Sequence, residues 1–249
     1  SSAASDVYKR QGMGSGTDVA KDAAAMVLTD DNFATIVNAI EIGRTVYSNI
    51  KKSITYLLAG NLAAIIAIVF AVVINWENPF TTLQLLFINL INDSLPAIAL
   101  AFEVAEPNTM NKPPRDINEG ILQGGTSSVI LIRGIIISIV VIIAQYLGNK
   151  TSPILGAAMA FSTITLSRIF QTLPARSDNI SVFNIGVAKN KYVLGAIGIC
   201  LLLYLIVLLP GLRAIFSIPN YFGIMEFAIC ILLALISTVL MELVKIFKK

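Results

Sequence analysis

Long apolar runs dominate the chain after a more polar N-terminal part. Apolar runs of about 18 residues or more are typical of helices that cross a lipid bilayer. Short polar connectors separate six such runs. The predicted spans lie at approximately 56–74, 83–102, 128–147, 154–173, 192–209 and 221–243. The pattern therefore predicts an all-α polytopic membrane bundle of six transmembrane helices.

The N-terminal part has the mixed pattern of a soluble segment. Its pattern favours a short strand at 25–28 and a helix at 33–42 that is interrupted at Gly43. From Thr45 a helical pattern continues without a breaker into the first span, which predicts a helix that extends well beyond the bilayer. The predicted parts are an N-terminal segment at 1–11, a soluble segment at 12–44 and a transmembrane part at 45–249.

Composition agrees with the membrane assignment and excludes several classes of chemistry. The 249 residues are 56% hydrophobic and 13% charged, with a mean hydropathy of +0.79, whereas soluble domains are about 25% charged. The chain has no histidine, which excludes imidazole metal sites and histidine acid–base catalysis. Cys200 and Cys230 fall inside predicted spans without CxxC spacing, so no disulfide is predicted.

The distribution of positive charge predicts the orientation in the membrane. Most lysines and arginines lie in segments on the side of both termini, whereas the opposite loops hold only Lys150 and Arg213. Because cytoplasmic loops carry the excess of lysine and arginine, both termini are predicted to be cytoplasmic. The net charge of +3 then follows from topology, and no nucleic-acid partner is predicted.

One predicted span carries polar residues that a lipid-facing helix would not carry. In "LLFINLINDSLPAIALAFE" (residues 85–103), Asn89, Asn92, Asp93 and Pro96 follow i, i+3, i+4 and i+7 spacing, which places them on one helix face. Pro96 cannot donate to the carbonyl of Asn92, so the turn is weakened and a carbonyl is freed. A charged acid at the bilayer centre costs at least about 2.5–3.5 kcal/mol, which favours a binding site over a purely structural role in joining helices.

A further amide in the first span points to the same chemistry. Asn61 follows Gly60, which permits close approach of another helix. Taken alone, Asn61 is equally well explained as a residue that hydrogen-bonds neighbouring helices. Carboxylate, amide and carbonyl oxygens suit hard cations such as Ca²⁺, Mg²⁺ or Na⁺ rather than copper or zinc.

Four ordered motifs give the chain a recognisable family character. "GSGTDVAKDAAAMVLTDDNFATIVNAIEIGR", "YSNIKKSITYLLAGN", "LQLLFINLINDSLPAIALAFE" and "EPNTMNKPPR" closely resemble the C-terminal third of P-type cation-transporting ATPases, most closely bacterial-looking members of the calcium-pump branch. The resemblance implies that 12–44 is the tail of a Rossmann-like cytoplasmic phosphorylation domain. It also implies that the six spans are the family's fifth to tenth transmembrane helices.

The resemblance implies a role for individual residues. Asn89 and Asp93 match the family's ion-binding N-x-x-(T)-D motif, with Asn92 where threonine is common, and Asn61 matches the asparagine of its N-x-x-E motif. Ala64 stands in place of that glutamate, and Arg168 stands where the eighth helix of the family carries Glu or Gln. Both departures affect the same one of two family sites. They imply a single-ion pump in which Arg168 is a tethered counter-cation; alternatively, Arg168 extends to the membrane interface.

The function that the resemblance implies is ATP-driven Ca²⁺ export across a plasma membrane. The phosphorylated aspartate and the binding sites for ATP and Mg²⁺ are expected in the missing N-terminal two-thirds of the polypeptide, so this fragment alone is not expected to hydrolyse ATP. Residues 1–11 match nothing in the family and are expected to be a scar of assembly. The expected partners are the bilayer and the rest of the polypeptide, with no obligatory subunit.

Two alternatives remain open at the level of sequence. The first is a P-type pump for another hard cation, namely Mg²⁺, Mn²⁺, Na⁺ or H⁺, because the ligand types do not distinguish these ions. The second is a free-standing six-helix channel or regulatory membrane subunit.

Overall fold

The described residues form two compact units. The computed structural model describes residues 11–24, 26–30, 32, 34–107, 109–111, 113 and 120–247. The predicted N-terminal segment 1–11 lies outside them apart from Gln11. One unit contains the described residues up to Tyr47 together with those of 105–114, and the other contains those of 48–104 and 115–249.

The first unit contains a parallel pair of short strands. β1 (Gln11–Met13) pairs with β2 (Met26–Leu28) in the register Gln11↔Met26, Gly12↔Val27 and Met13↔Leu28. Helix α1 (Asp18–Asp22) connects them, and the Thr17 side chain accepts from the backbone N–H of Ala20 at its start. Parallel strands require such a crossover, which explains why a helix lies between them.

The longest helix is α2 (Ala34–Val73), with 40 residues. The backbone N–H of Ala34 donates to Oδ1 of Asn32 (3.0 Å), which satisfies one of the unpaired donors at the helix start. The predicted interruption at Gly43 was wrong, because the helix continues through this residue. A single glycine costs only about 1 kcal/mol in a helix interior, and neighbouring turns of a long helix maintain its geometry.

Helices make up the described part of the second unit. The connection from α3 to α4 is a π turn, and a short 3₁₀ turn precedes α8. The elements are α3 (Thr82–Phe87), the π turn (Ile88–Asn92), α4 (Ser94–Ala101), α5 (Thr126–Asn149), α6 (Pro153–Ala175), α7 (Val182–Ile185), the 3₁₀ turn (Val187–Lys189), α8 (Lys191–Val207), α9 (Leu212–Ile215) and α10 (Ile224–Phe247).

Five segments of the described chain are long and apolar enough to cross a membrane. They are Ala34–Val73, Thr82–Ala101, Thr126–Asn149, Pro153–Ala175 and Ile224–Ile246. Helix α8 is apolar but has only 17 residues. The predicted multi-pass helical membrane bundle is confirmed, whereas the sixth span stays a prediction.

Helix α6 lies at the centre of the bundle. In its most apolar window 78% of the residues are buried, against 28–44% in the other four candidate spans. It packs against α5, α8 and α10. Gly148 and Gly156 allow α5 and α6 to approach closely, because a Cβ added to Gly148 would lie 2.6 Å from the Cα of Gly156. Helix α6 is therefore buried on most sides and packs closely against α5.

A buried ion pair joins the end of α4 to the end of α6. Arg176 donates from Nε to Oε2 of Glu103 (2.9 Å) and from Nη2 to Oε1 (2.8 Å), which is a bidentate arrangement. Nδ2 of Asn190 also donates to Oε2 of Glu103 (2.8 Å), and Nδ2 of Asn49 donates to the Glu103 carbonyl (2.6 Å). All four side chains belong to buried residues. The Glu103 carboxylate therefore links the ends of α4, α6 and α8, and the Glu103 backbone carbonyl adds the contact with α2.

We expect Glu103→Gln to lower the free energy of unfolding by about 3–5 kcal/mol, because it leaves the buried guanidinium of Arg176 without a counter-charge. Thermal unfolding of the purified protein in detergent measures the change. The matched control is Glu77→Gln, since Glu77 is exposed. Equal unfolding temperatures for both variants would contradict a structural role for the pair.

Candidate cation site

The helix that carries Asp93 changes its winding directly before that residue. The backbone N–H of Asp93 donates to the carbonyl of Ile88 (2.9 Å), five residues earlier, at the end of the π turn. Regular α-helix resumes at Ser94. Pro96 has no N–H to donate to the carbonyl of Asn92. Single π turns inside helices occur frequently at functional sites, and this one places an acid at a wide turn of the membrane segment.

Asp93 is held by a bidentate ion pair with Arg168. Nε of Arg168 donates to Oδ1 of Asp93 (2.8 Å), and Nη2 of Arg168 contacts Oδ2. The two side chains are only 2% and 1% exposed, so the pair is excluded from solvent. Arg168 therefore points into the bundle in this structure and does not extend to an interface. Because a buried charge is costly without a partner, each side chain holds the other in place.

Two residues of α2 shape the space around the Arg168 guanidinium. Its Cζ lies 5.0 Å from the centroid of the Tyr56 ring, within cation–π range. The Tyr56 hydroxyl donates to the Arg168 carbonyl (3.2 Å). A Cβ added to Gly60 would coincide with Nη1 of Arg168. Gly60 is therefore required for the close approach of α2 to this guanidinium.

Three of the four predicted ligand residues line one cavity. Asn61, Asn89 and Asp93 border an open cavity of about 560 Å³ between α2 and the segment Thr82–Ala101. Asn61 and Asn89 are exposed, so their amides are free to turn toward a ligand. Ala64 also lines the cavity, at the position where the family resemblance calls for glutamate. The cavity wall thus offers one carboxylate and two amides.

Asn92 lies away from this cavity. Its Nδ2 donates to the carbonyl of Thr165 on α6 (3.2 Å), and Sγ of Cys200 contacts its carbonyl oxygen (3.9 Å). Asn92 and Asp93 both contact α6, at Thr165 and Arg168 respectively, but Asn92 does not line the cavity. The prediction that residues 89, 92, 93 and 96 share one face assumes regular α-helical winding, whereas the π turn at Ile88–Asn92 has more residues per turn.

Helix α6 contributes polar groups that sequence reasoning did not single out. The side-chain oxygens of Thr163, Thr165 and Ser167 and both polar atoms of Gln171 are buried and have no hydrogen-bond partner in the described part of the chain. The sequence signal was the recurrence of polar residues inside the apolar span 154–173. These residues lie on the same helix as Arg168, the partner of Asp93.

The donor set fits a hard cation with oxygen ligands. No three His, Cys, Asp or Glu side chains cluster within the described ranges, so the site has no thiolate or multi-carboxylate centre there. One carboxylate and neutral amide oxygens are ligands that Ca²⁺ and Mg²⁺ accept. Ca²⁺ takes about 6–8 oxygens, so water, backbone carbonyls or other segments must complete the ligand shell.

The chain belongs to the family of cation-transporting ATPases, whose C-terminal part matches residues 77–247. It is 60% identical over 234 residues to a calcium-transporting ATPase of Listeria monocytogenes, with 94% of this chain and 27% of that protein covered. It is 59% identical over 236 residues to calcium-transporting ATPase 1 of Lactococcus lactis, with 95% and 27% covered. The Bacillus subtilis calcium-transporting ATPase is 38% identical over 205 residues. The chain thus spans about a quarter of the length of these relatives.

Proposed function

We propose that this chain is the ion-pathway part of an ATP-driven Ca²⁺ pump. The observation that carries the proposal is the buried Asp93, which lies beside a π turn, lines a cavity with two amides and has an arginine as its counter-charge. Carboxylates within membrane helices mark ion pathways. Two relatives that are 60% and 59% identical to this chain bear the name calcium-transporting ATPase, which favours Ca²⁺ among hard cations.

We further propose that the pump carries a single ion. The side chain of Ala64 supplies no oxygen ligand to the cavity. Arg168 donates to the Asp93 carboxylate, so its positive charge opposes the binding of a second cation there. A Ca²⁺ ion at Asp93 must displace the guanidinium or share the carboxylate with it. In this proposal Asn61, Asn89 and Asp93 bind the ion, Asn92 supports the π turn from the α6 side, and Arg168 supplies the counter-charge.

We propose that the sixth span, the N-terminal soluble segment and the orientation in the membrane are those that the family resemblance implies. Helix α8 is proposed as the sixth span, because 17 residues lie at the lower limit of helices that cross a bilayer. Residues 12–44 are proposed as the tail of a Rossmann-like phosphorylation domain, which is supported by the parallel pairing of β1 and β2. The distribution of lysine and arginine supports cytoplasmic termini, and the membrane is proposed to be the plasma membrane, as the family resemblance implies. ATP and Mg²⁺ are proposed to act through the remainder of the polypeptide.

Calcium uptake by the complete polypeptide tests the proposal. Reconstituted vesicles should accumulate radioactive calcium only when ATP is present, because the cavity binds the ion but has no energy source of its own. Mg²⁺, Mn²⁺ and Na⁺ at equal concentration should compete poorly. A sodium ionophore and a protonophore serve as controls for uptake driven by existing gradients.

The alternatives predict different results in the same vesicles. A pump for another hard cation would hydrolyse ATP in response to that ion and not to Ca²⁺. A channel would pass the ion without ATP, and a regulatory subunit would transport nothing. Each of these results would contradict the proposed calcium pump.

A further inference from the structure

A second polar site lies between α5 and α10, apart from the cation cavity. Arg133 on α5, Lys245 on α10 and Asp178 beyond the end of α6 line a small notch whose other walls are apolar. Lys245 lies two residues before the end of α10. Since α5 and α10 are candidate spans, the notch lies near the level at which membrane helices meet lipid headgroups.

Arg133 brings an unsatisfied donor to this notch. Its side chain is only 5% exposed. Nη2 donates to the carbonyl of Pro174 (3.1 Å) and lies 3.0 Å from Oδ1 of Asp178, without the alignment of a hydrogen bond. Nη1 has no partner among the described residues. Buried charged groups are rarely left with an unsatisfied donor. Nη1 of Arg133 is therefore a candidate to donate a hydrogen bond to a ligand.

The notch has a matching acceptor and no net charge. Oδ1 of Asp178 also has no aligned donor. Lys245 is neutralised by Glu242, with Nζ donating to Oε1 (2.6 Å), and Oε2 of Glu242 accepts from the backbone N–H of Val182 (3.1 Å). Two cations therefore face two carboxylates. A purely anionic ligand would gain from Arg133 but would be repelled by Asp178.

The size of the notch limits what enters it. Its volume of about 20 Å³ is close to that of one or two water-sized groups, since one water needs about 10–15 Å³ by the same measure. Val129 and Met241 form part of its apolar wall. A whole soluble ligand does not fit, whereas the polar atoms of a lipid headgroup fit while the rest of the lipid lies along the helices.

We propose that this notch binds one phospholipid whose headgroup carries both a phosphate and an ammonium group. A phosphate oxygen accepts from Nη1 of Arg133, and the ammonium donates to Oδ1 of Asp178. Basic sites between membrane helices are known to recognise lipid headgroups, and Asp178 adds selectivity for a zwitterion. Phosphatidylethanolamine is the probe with this chemistry, and phosphatidylglycerol is the anionic comparison.

Lipid retention by the complete polypeptide tests this site independently of transport. The protein is purified from micelles that contain equal amounts of the two lipids, and bound lipid per protein is measured by mass spectrometry. The wild type should retain one phosphatidylethanolamine. Arg133→Gln and Asp178→Asn should each reduce that occupancy about tenfold, which is the loss of one charge-assisted contact.

Two further variants separate the site from general effects. Val129→Phe fills the notch without removing a charge and should also lose the lipid. Lys150→Gln removes an exposed cation at the opposite end of α5 and should retain it. Equal retention of phosphatidylglycerol, no retained lipid in the wild type, or normal retention by Val129→Phe would each overturn the proposal. Calcium uptake is not a readout here, so failure of this site leaves the pump proposal untouched.

Discussion

Asp93→Asn is expected to abolish calcium-dependent phosphorylation of the complete pump by ATP. Among the residues that the structure describes, Asp93 is the only acidic side chain that lines the cation cavity. An asparagine keeps the shape and removes the charge. At 4 Å and an effective dielectric near 20, one pair of unit charges contributes about 4 kcal/mol, or roughly a thousandfold in affinity. Phosphorylation by radioactive ATP across a calcium titration measures the loss.

A double variant controls for misfolding. Asp93→Asn leaves Arg168 buried without a counter-charge, which costs about 3–5 kcal/mol. Combining it with Arg168→Gln removes both charges, so the protein should purify with a normal size-exclusion profile and still lack calcium-dependent phosphorylation. Wild-type calcium dependence in either variant would show that Asp93 does not bind the transported ion.

Gly60→Ala is expected to separate Arg168 from Asp93. The added methyl group occupies the position of Nη1 of Arg168. The guanidinium must therefore move away from its position between Gly60 and Asp93. The buried ion pair is then broken, with an expected loss of about 3–5 kcal/mol in the free energy of unfolding. Thermal unfolding in detergent measures this effect, and calcium titration measures the accompanying change in affinity.

Gly43→Ala provides the matched control on the same helix. A Cβ at Gly43 would meet no atom within 4 Å. Because alanine is favoured over glycine in helices by about 1 kcal/mol, this variant should be neutral or slightly more stable. If Gly60→Ala behaved like Gly43→Ala, the close packing of Arg168 against α2 would be wrong.

The sequence singled out Asp93 and Arg168 separately but did not show that they form an ion pair. Asp93 and Asn89 stand out because an acid and an amide in an apolar run are costly without a function. Arg168 also stood out, but its pairing with Asp93 joins residues 75 positions apart and depends on how α6 packs against the other helices. No local pattern specifies that packing. Tyr56 and Gly60 take their roles from the same arrangement.

The π turn before Asp93 could not be predicted from the spacing of polar residues in the sequence. The expectation that residues 89, 92, 93 and 96 lie on one face assumed uniform α-helical periodicity, and the π turn at Ile88–Asn92 changes that periodicity. Asn92 therefore does not line the cavity with Asn89 and Asp93. The pair of Glu103 and Arg176 escaped notice for another reason. Both residues lie at the ends of apolar runs, where charged residues are common, so only the folded structure shows that they are buried together.

Calcium stoichiometry tests the central claim, a single ion at Asp93 with Arg168 as the built-in counter-charge. Neither Ala64 nor Arg168 offers an oxygen ligand, and an inward-pointing arginine opposes a second cation by about 4 kcal/mol at 4 Å and a dielectric near 20. Equilibrium binding of radioactive calcium to the detergent-purified complete pump should give one ion per phosphorylation site, with a Hill coefficient near one. Two cooperatively bound ions per phosphorylation site would contradict the account.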